Sequence, residues 1–137
     1  MNYRITDEIT KEDKEAVFEE LLKYNLEHIE NTDVKDIGIF LEDPQGEKIA
    51  ALIGDTHGNW LEIEYLWVNK DKRGNNIGRD IIERAELLAK QRGCKYAFVN
   101  TFHFQAPGFY EKLGYKEVFV LNNYPSTGKR HYYMKEL

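Results

Sequence analysis

The sequence predicts an α/β fold, specifically a central, mostly antiparallel, twisted sheet that contains one parallel pair and is flanked by helices. Two patterns carry that expectation. Residues 37–69 hold three strand-like segments joined by short turns, and strands joined so closely must run antiparallel. Residues 61–101 then read as strand, polar turn, amphipathic helix and strand, a right-handed crossover whose two strands lie parallel. With 137 residues, 42% of them hydrophobic and 13% aromatic, the chain suits one compact domain over 1–137.

The elements follow in order. Residues 2–6 read as a short first strand. Thr10 caps a helix reaching about Glu30, because Val17, Leu21, Leu22, Leu26 and Ile29 recur at three-four spacing. Residues 37–42 and 48–55 flank the turn Asp43-Pro44-Gln45-Gly46 as a hairpin, and His57-Gly58-Asn59 turns the chain into a strand over 60–69. After a cationic, Asn/Gly-rich turn, Ile77, Ile81, Ile82, Ala85, Leu88 and Ala89 mark one face of a helix that stops at Gly93. A strand over 96–101, a short helix over 107–112, and strands over 116–121 and 130–134 complete the chain.

Composition excludes several function classes. A net charge of −5 leaves no basic excess with which to neutralise a nucleic-acid backbone. No apolar run approaches the length of a membrane span, and no leader is recognisable at the N-terminus, so no membrane partner and a cytoplasmic setting are expected. Cys94 is the one cysteine; His28, His57 and His131 show no ligand spacing to it or to one another, so no metal is expected. Cys94 reads as a small buried apolar residue rather than an acyl carrier.

The local cation cluster needs its own explanation. A strand feeding a flexible basic turn that opens into a helix gathers unpaired backbone N–H groups and the positive end of the helix dipole at one point, which suits a pyrophosphate. Arg73-Gly74-Asn75-Asn76-Ile77-Gly78 lines up with the pyrophosphate loop of the GNAT superfamily of N-acetyltransferases, with Asn76 the one departure. Asparagine is the non-glycine residue that best tolerates a left-handed backbone. Ala106, Tyr110 and Gly114-Tyr115 match a second signature of that superfamily. The second half of the chain thus resembles the GNAT superfamily.

The resemblance implies a GNAT-like fold and acetyl transfer from acetyl coenzyme A to a primary amine of a small molecule or peptide, by direct attack in a ternary complex. Trp67, Val68 and Asn69 would meet the pantetheine; Arg73, Gly74, Asn75, Asn76, Ile77, Gly78 and Arg79 would surround the diphosphate. His103 stands where many relatives carry an asparagine facing the cofactor, and could replace it as a donor or serve as an alternative base. Tyr110 would protonate the departing thiolate, on the argument that Phe109 and Leu113 supply the packing face of its helix while Tyr110 projects elsewhere. An amine with a reference pKa of about 10.4 needs a base. Glu62 and Glu64, two apart, share one face of their strand, with Leu61, Ile63, Tyr65 and Trp67 on the other. Either glutamate can be the base, or both can line a solvated face. A module that binds or senses acyl coenzyme A without turnover is the alternative reading. The first helix and the turns at 31–36 and 124–130 are expected to wall the acceptor site. A homodimer could form through strand edges or through Tyr132 and Tyr133.

Overall fold

A computed structural model describes residues 1–30 and 33–137. Asn31 and Thr32, expected in an acceptor-side turn, lie outside the described residues. The chain divides into two compact units, Met1–Thr32 and Asp33–Leu137.

In the first unit, helix α1 spans Lys11–His28. Thr10 caps it as expected, its hydroxyl accepting from the Asp13 N–H at 3.1 Å. Arg4 pairs with Asp13 at 2.9 Å, and this bond, aided by Thr10, holds the Asp13 carboxyl below the ordinary range. Residues 2–6, expected as a strand, are not one. A run that short has no ladder of its own and becomes a strand only beside a sheet edge.

The second unit is a six-stranded sheet in the order β1-β2-β3-β4-β6-β5, built from β1 (Val34–Glu42), β2 (Lys48–His57), β3 (Trp60–Val68), β4 (Tyr96–Phe102), β5 (Lys116–Asn122) and β6 (Lys129–Glu136). Only β3 and β4 pair in parallel, and α2 (Ile77–Gln91) makes the crossover between them. The short α3 (Pro107–Lys112) precedes β5. Among the described residues no helix is long and apolar enough to cross a membrane.

The core lies on one face of the sheet. Ile37, Leu52, Leu61, Ile63, Ala97, Val99 and Tyr133 meet Ile81, Ile82, Ala85 and Ala89 of α2, where the two alanines let the helix lie close to the strands. The predicted helix face is the buried one, with one addition. Glu86 is 7% exposed because the Tyr115 hydroxyl donates to it at 2.8 Å and the Lys135 ammonium at 3.0 Å. Tyr133 is fully buried and cannot serve the dimer surface expected of it.

Strand β3 departs from simple alternation. Its register against β2 runs Tyr65 to Ile53 and then Ile63 to Gly54, leaving Glu64 as the extra residue of a β-bulge. Leu61 and Ile63 are buried before the bulge, and Leu66 and Val68 face inward after it. Tyr65 and Trp67, expected on the apolar face, are instead 62% and 46% exposed. The inserted residue reverses the side-chain parity. Opposite the bulge a Cβ on Gly54 would collide with the Glu62 carbonyl oxygen, so the close approach requires glycine.

Candidate active site

The bulge also ends the parallel pairing. β3 and β4 are paired from Trp60 with Tyr96 to Ile63 with Val99 and no further. Beyond that point residues 64–68 and 100–102 part, leaving a cleft between two strands of one sheet. The Asn69 N–H donates to the Ile49 carbonyl on the β2 side at 2.8 Å. Strand alternation then turns the peptide groups of Val68 and Leu66 towards the cleft. Leu66 was not among the expected contacts, and Asn69, whose side chain also accepts from the Asp71 N–H, is committed elsewhere.

At the end of β3 the chain makes one 3-10 turn, Lys70–Lys72, and enters the loop before α2. Gly74 has φ +88, open to glycine at little cost. Asn76 has φ 60 and ψ 17, the left-handed conformation expected of it, and stands as the N-cap residue of α2 without a side-chain cap bond. Among the described residues no hydrogen bond uses the backbone N–H of any residue from Arg73 to Arg79. These donors, with the N-terminal end of the α2 dipole, make an anion site. Arg73 spends its Nε–H on the Val68 carbonyl at 3.2 Å, which draws its guanidinium to the cleft edge and leaves the terminal nitrogens available. Asn75 braces the loop by donating to the Lys72 carbonyl at 3.0 Å. Gly78 has a packing reason: a Cβ there would press on the Phe109 ring at 3.1 Å, so its absence lets α3 approach α2. Ile77 is half-buried and Arg79 exposed.

Tyr110 is the one buried residue of α3. The expectation that Phe109 packs while Tyr110 projects away is reversed: Phe109 is the more exposed, and Tyr110 stacks on Tyr133 with centroids 6.0 Å apart and meets Tyr115 edge-on at 5.8 Å. Its hydroxyl makes no hydrogen bond among the described residues, yet no sealed side-chain oxygen is unpartnered, so the hydroxyl opens onto solvent. Burial of the ring pushes the phenol up to about 12.

The two candidate bases lie on the opposite face. Glu62 pairs laterally with Phe98 on the face away from the core, and Glu62 and Glu64 are both exposed. The same face carries Arg130, which donates from Nε and NH2 to Asn100 Oδ1 at 2.8 and 2.6 Å and from NH1 to the Tyr124 hydroxyl at 3.0 Å. The carboxylates and Tyr110 thus stand on opposite faces of a sheet in which β3 and β4 cease to pair beyond Ile63 and Val99.

His103 is placed differently from expectation. β4 ends at Phe102, and His103 sits in the following turn, where Gln105 Oε1 accepts from the Phe102 N–H at 2.8 Å. Its Nδ1 lies 2.9 Å from His131 Nε2, and His131 Nδ1 lies 2.7 Å from Glu117 Oε2. Sequence reading missed this cluster, because positions 103, 117 and 131 share no local spacing. Cys94 is 6% exposed and its thiol is pushed up by burial, which suits a packing role. Among the described residues no group of His, Cys, Asp and Glu could hold a metal ion.

Comparison with known proteins adds the following. Residues 35–117 match the model of the acetyltransferase (GNAT) domain family. The chain is 38% identical over 94 residues to a blasticidin-S acetyltransferase of Streptomyces morookaense, covering 68% of this chain and 69% of that protein. It is 29% identical over 118 residues to an acetyltransferase of Agrobacterium fabrum, covering 86% of each. A crystal structure of an acetyltransferase from Bacillus cereus superposes with a TM-score of 0.86 at 25% identity, over 98% of both chains.

Proposed function

The chain belongs to the GNAT acetyltransferase family and is an N-acetyltransferase, and on that premise we propose that it passes the acetyl group of acetyl coenzyme A directly to the primary amine of a small molecule or peptide held beside it. One observation carries this reading: β3 and β4 part immediately in front of a loop whose amides from Arg73 to Arg79 are unpartnered. Acetyl coenzyme A brings a diphosphate, two amides and a thioester, and this chain offers groups suited to each. The amides of Arg73, Gly74, Asn75, Asn76, Ile77, Gly78 and Arg79, with the two guanidinium groups, hold the diphosphate. Peptide groups of Leu66 and Val68, flanked by Trp67, bind the pantetheine as an added strand would. The thioester carbon is the electrophile.

From the opposite face Glu62 or Glu64 takes a proton from the ammonium of the acceptor, freeing the lone pair that attacks. Tyr110 meets the departing sulfur from the core side as the acid. Residues 1–137 act as one catalytic domain in this proposal. A relative named a blasticidin-S acetyltransferase supports a small molecule as acceptor, and the carboxylate pair on the acceptor face suits an ammonium group.

The test is thiol release from acetyl coenzyme A, with blasticidin-S first and then polyamines, aminoglycosides, amino acids and peptides. Saturable release with one of them is expected, together with loss of rate in one of Glu62→Gln and Glu64→Gln. Binding of acetyl coenzyme A with no release across the whole panel would overturn direct transfer and favour a sensing module.

A further inference from the structure

Helix α1 carries the sequence of a packed helix without a buried residue. Phe18, Leu21, Leu22, Leu26 and Ile29 recur at three-four spacing and gather on one side of it, with Tyr24 at the margin. All of them are exposed, Phe18 and Tyr24 by 62% and 63%. A helix of 18 residues is marginal in water when isolated, and its stability comes from burying such a face. The segment ahead of it is in the same position. Tyr3 and Ile5 alternate with Arg4 as strand residues do, and both are exposed along their whole length. The bond from Arg4 to Asp13 ties that segment to the first turn of α1, so segment and helix form one arm.

The second unit carries two surfaces of the matching kind. β1 is the end strand of the sheet, and among the described residues no strand pairs with its outer edge. An open edge of nine residues is one that another chain can extend. On the core face of β1 the cover fades along the strand, from buried Ile37 through half-buried Ile39 to exposed Leu41. On the α2 side, Ile77 and Leu88 are half-buried and Leu87 is exposed. Between β1 and α2 runs an open groove of about 620 Å³, lined by these apolar side chains from Ile39 onward. A groove between a helix and an end strand has the shape that a second helix, preceded by a short strand, fills.

We propose that two copies of this chain exchange arms: residues 2–6 of each extend the sheet beside β1 of the other, and the apolar face of its α1 fills the groove between the other's β1 and α2. The occupant is a second copy because each copy brings one arm and one groove. A single two-fold axis then covers both arms and both grooves, whereas an unrelated partner covers one kind of surface and leaves the other open. The size agrees with a stable dimer. Tyr3, Phe18 and Tyr24 by themselves offer on the order of 400 Å², at about 200 Å² for a whole ring. That is half of the roughly 800 Å² that a standard interface takes from each partner. The aliphatic side chains of the arm and of the groove supply the rest.

Arm exchange also accounts for the first segment of the chain. Residues 2–6 have the alternation of a strand and no ladder in the single chain, and the edge of β1 in a second copy is where that ladder forms. The same pairing closes an edge that otherwise invites open-ended association, since a two-fold exchange stops at two copies. The dimer is independent of the acetyl-transfer reading, because neither the arm nor the groove draws on the loop from Arg73 to Gly78 beyond Ile77.

Two measurements on the full chain test this, and neither needs a substrate. Sedimentation equilibrium is expected to show a dimer. Phe18→Glu, a change at an exposed side chain, should raise the dimer Kd by at least about a hundredfold, because the residue enters the interface twice. A wild-type chain that stays monomeric at every concentration, or a Phe18→Glu chain as dimeric as the wild type, would overturn the proposal. Isotope-filtered NMR on a mixture of labelled and unlabelled chains reads which surfaces meet, even if the variant does not fold. Contacts are expected between the methyl groups of Leu21, Leu22 and Leu26 in one copy and those of Ile39, Leu41 and Leu87 in the other. The same contacts confined to one chain would show each arm on its own groove and sink the exchange. So would a dimer whose contacts between copies lie on β5 instead. A protein that dimerises in this way yet acetylates nothing would leave the exchange standing and remove only the acetyl-transfer reading.

Discussion

Tyr110 shows how one residue's surroundings set its chemistry. Its ring is packed among Phe109, Tyr115 and Tyr133 while its hydroxyl is not sealed from solvent. Tyr110→Phe keeps the packing and removes the donor. It should lower kcat by about two to three orders of magnitude, as loss of a donor to developing charge typically does. The thermal midpoint should move by less than the loss of a packed ring would require, and a calorimetric scan beside the kinetics checks both. Gly54 is the other residue whose role is steric and local. Gly54→Val forces the Glu62 carbonyl away and should cost about 1 to 3 kcal/mol in urea unfolding. It should also weaken acetyl coenzyme A binding, because the bulge that opens the cleft is what the new side chain disturbs. A variant with normal affinity would separate the bulge from the cleft.

Among the elements, the loop from Arg73 to Gly78 and the helix it opens into act as one device. The left-handed Asn76 leaves the following amides pointing away from internal partners. Asn76→Gly adopts that backbone at no strain and should retain affinity, while Asn76→Val, branched at Cβ, should lose stability by about 1 to 2 kcal/mol and raise the Kd for acetyl coenzyme A. Calorimetric titration of both variants decides the matter, and equal affinities would show that the loop conformation does not organise the anion site. This device was legible in the residues: an Asn/Gly-rich turn between a strand and an amphipathic helix has few conformations open to it. The bulge in β3 was not read, although Gly54 in the middle of the neighbouring strand was its sign. A single inserted residue changes no local periodicity strongly enough to be seen, and it moved Tyr65 and Trp67 to the exposed face.

At the scale of the second unit, three buried phenols share one side of the sheet. Tyr110, Tyr115 and Tyr133 are each pushed above the ordinary value of 10.0, burial being the first cause for all three, with Glu86 adding to it for Tyr115 and Glu111 for Tyr133. A folded-state pKa above the unfolded one means that the folded chain holds its proton longer. The stabilisation is complete below pH 10 and is lost as the unfolded chain ionises. Urea unfolding should therefore show stability falling from about pH 10 upward, with Tyr110 alone accounting for on the order of 2 kcal/mol by pH 12. A midpoint that stays level between pH 9 and 11.5 would contradict it. The order of strands and helices from Thr10 onward, the crossover, the left-handed Asn76 and the free amides of the loop were set by the sequence by itself, since hydrophobic periodicity and turn chemistry act between near neighbours along the chain. Only the tertiary structure decided where β3 and β4 part, which face Tyr110 takes, and that Glu117, His131 and His103 meet. Those outcomes depend on strand register, and register is settled by contacts between segments far apart in the chain.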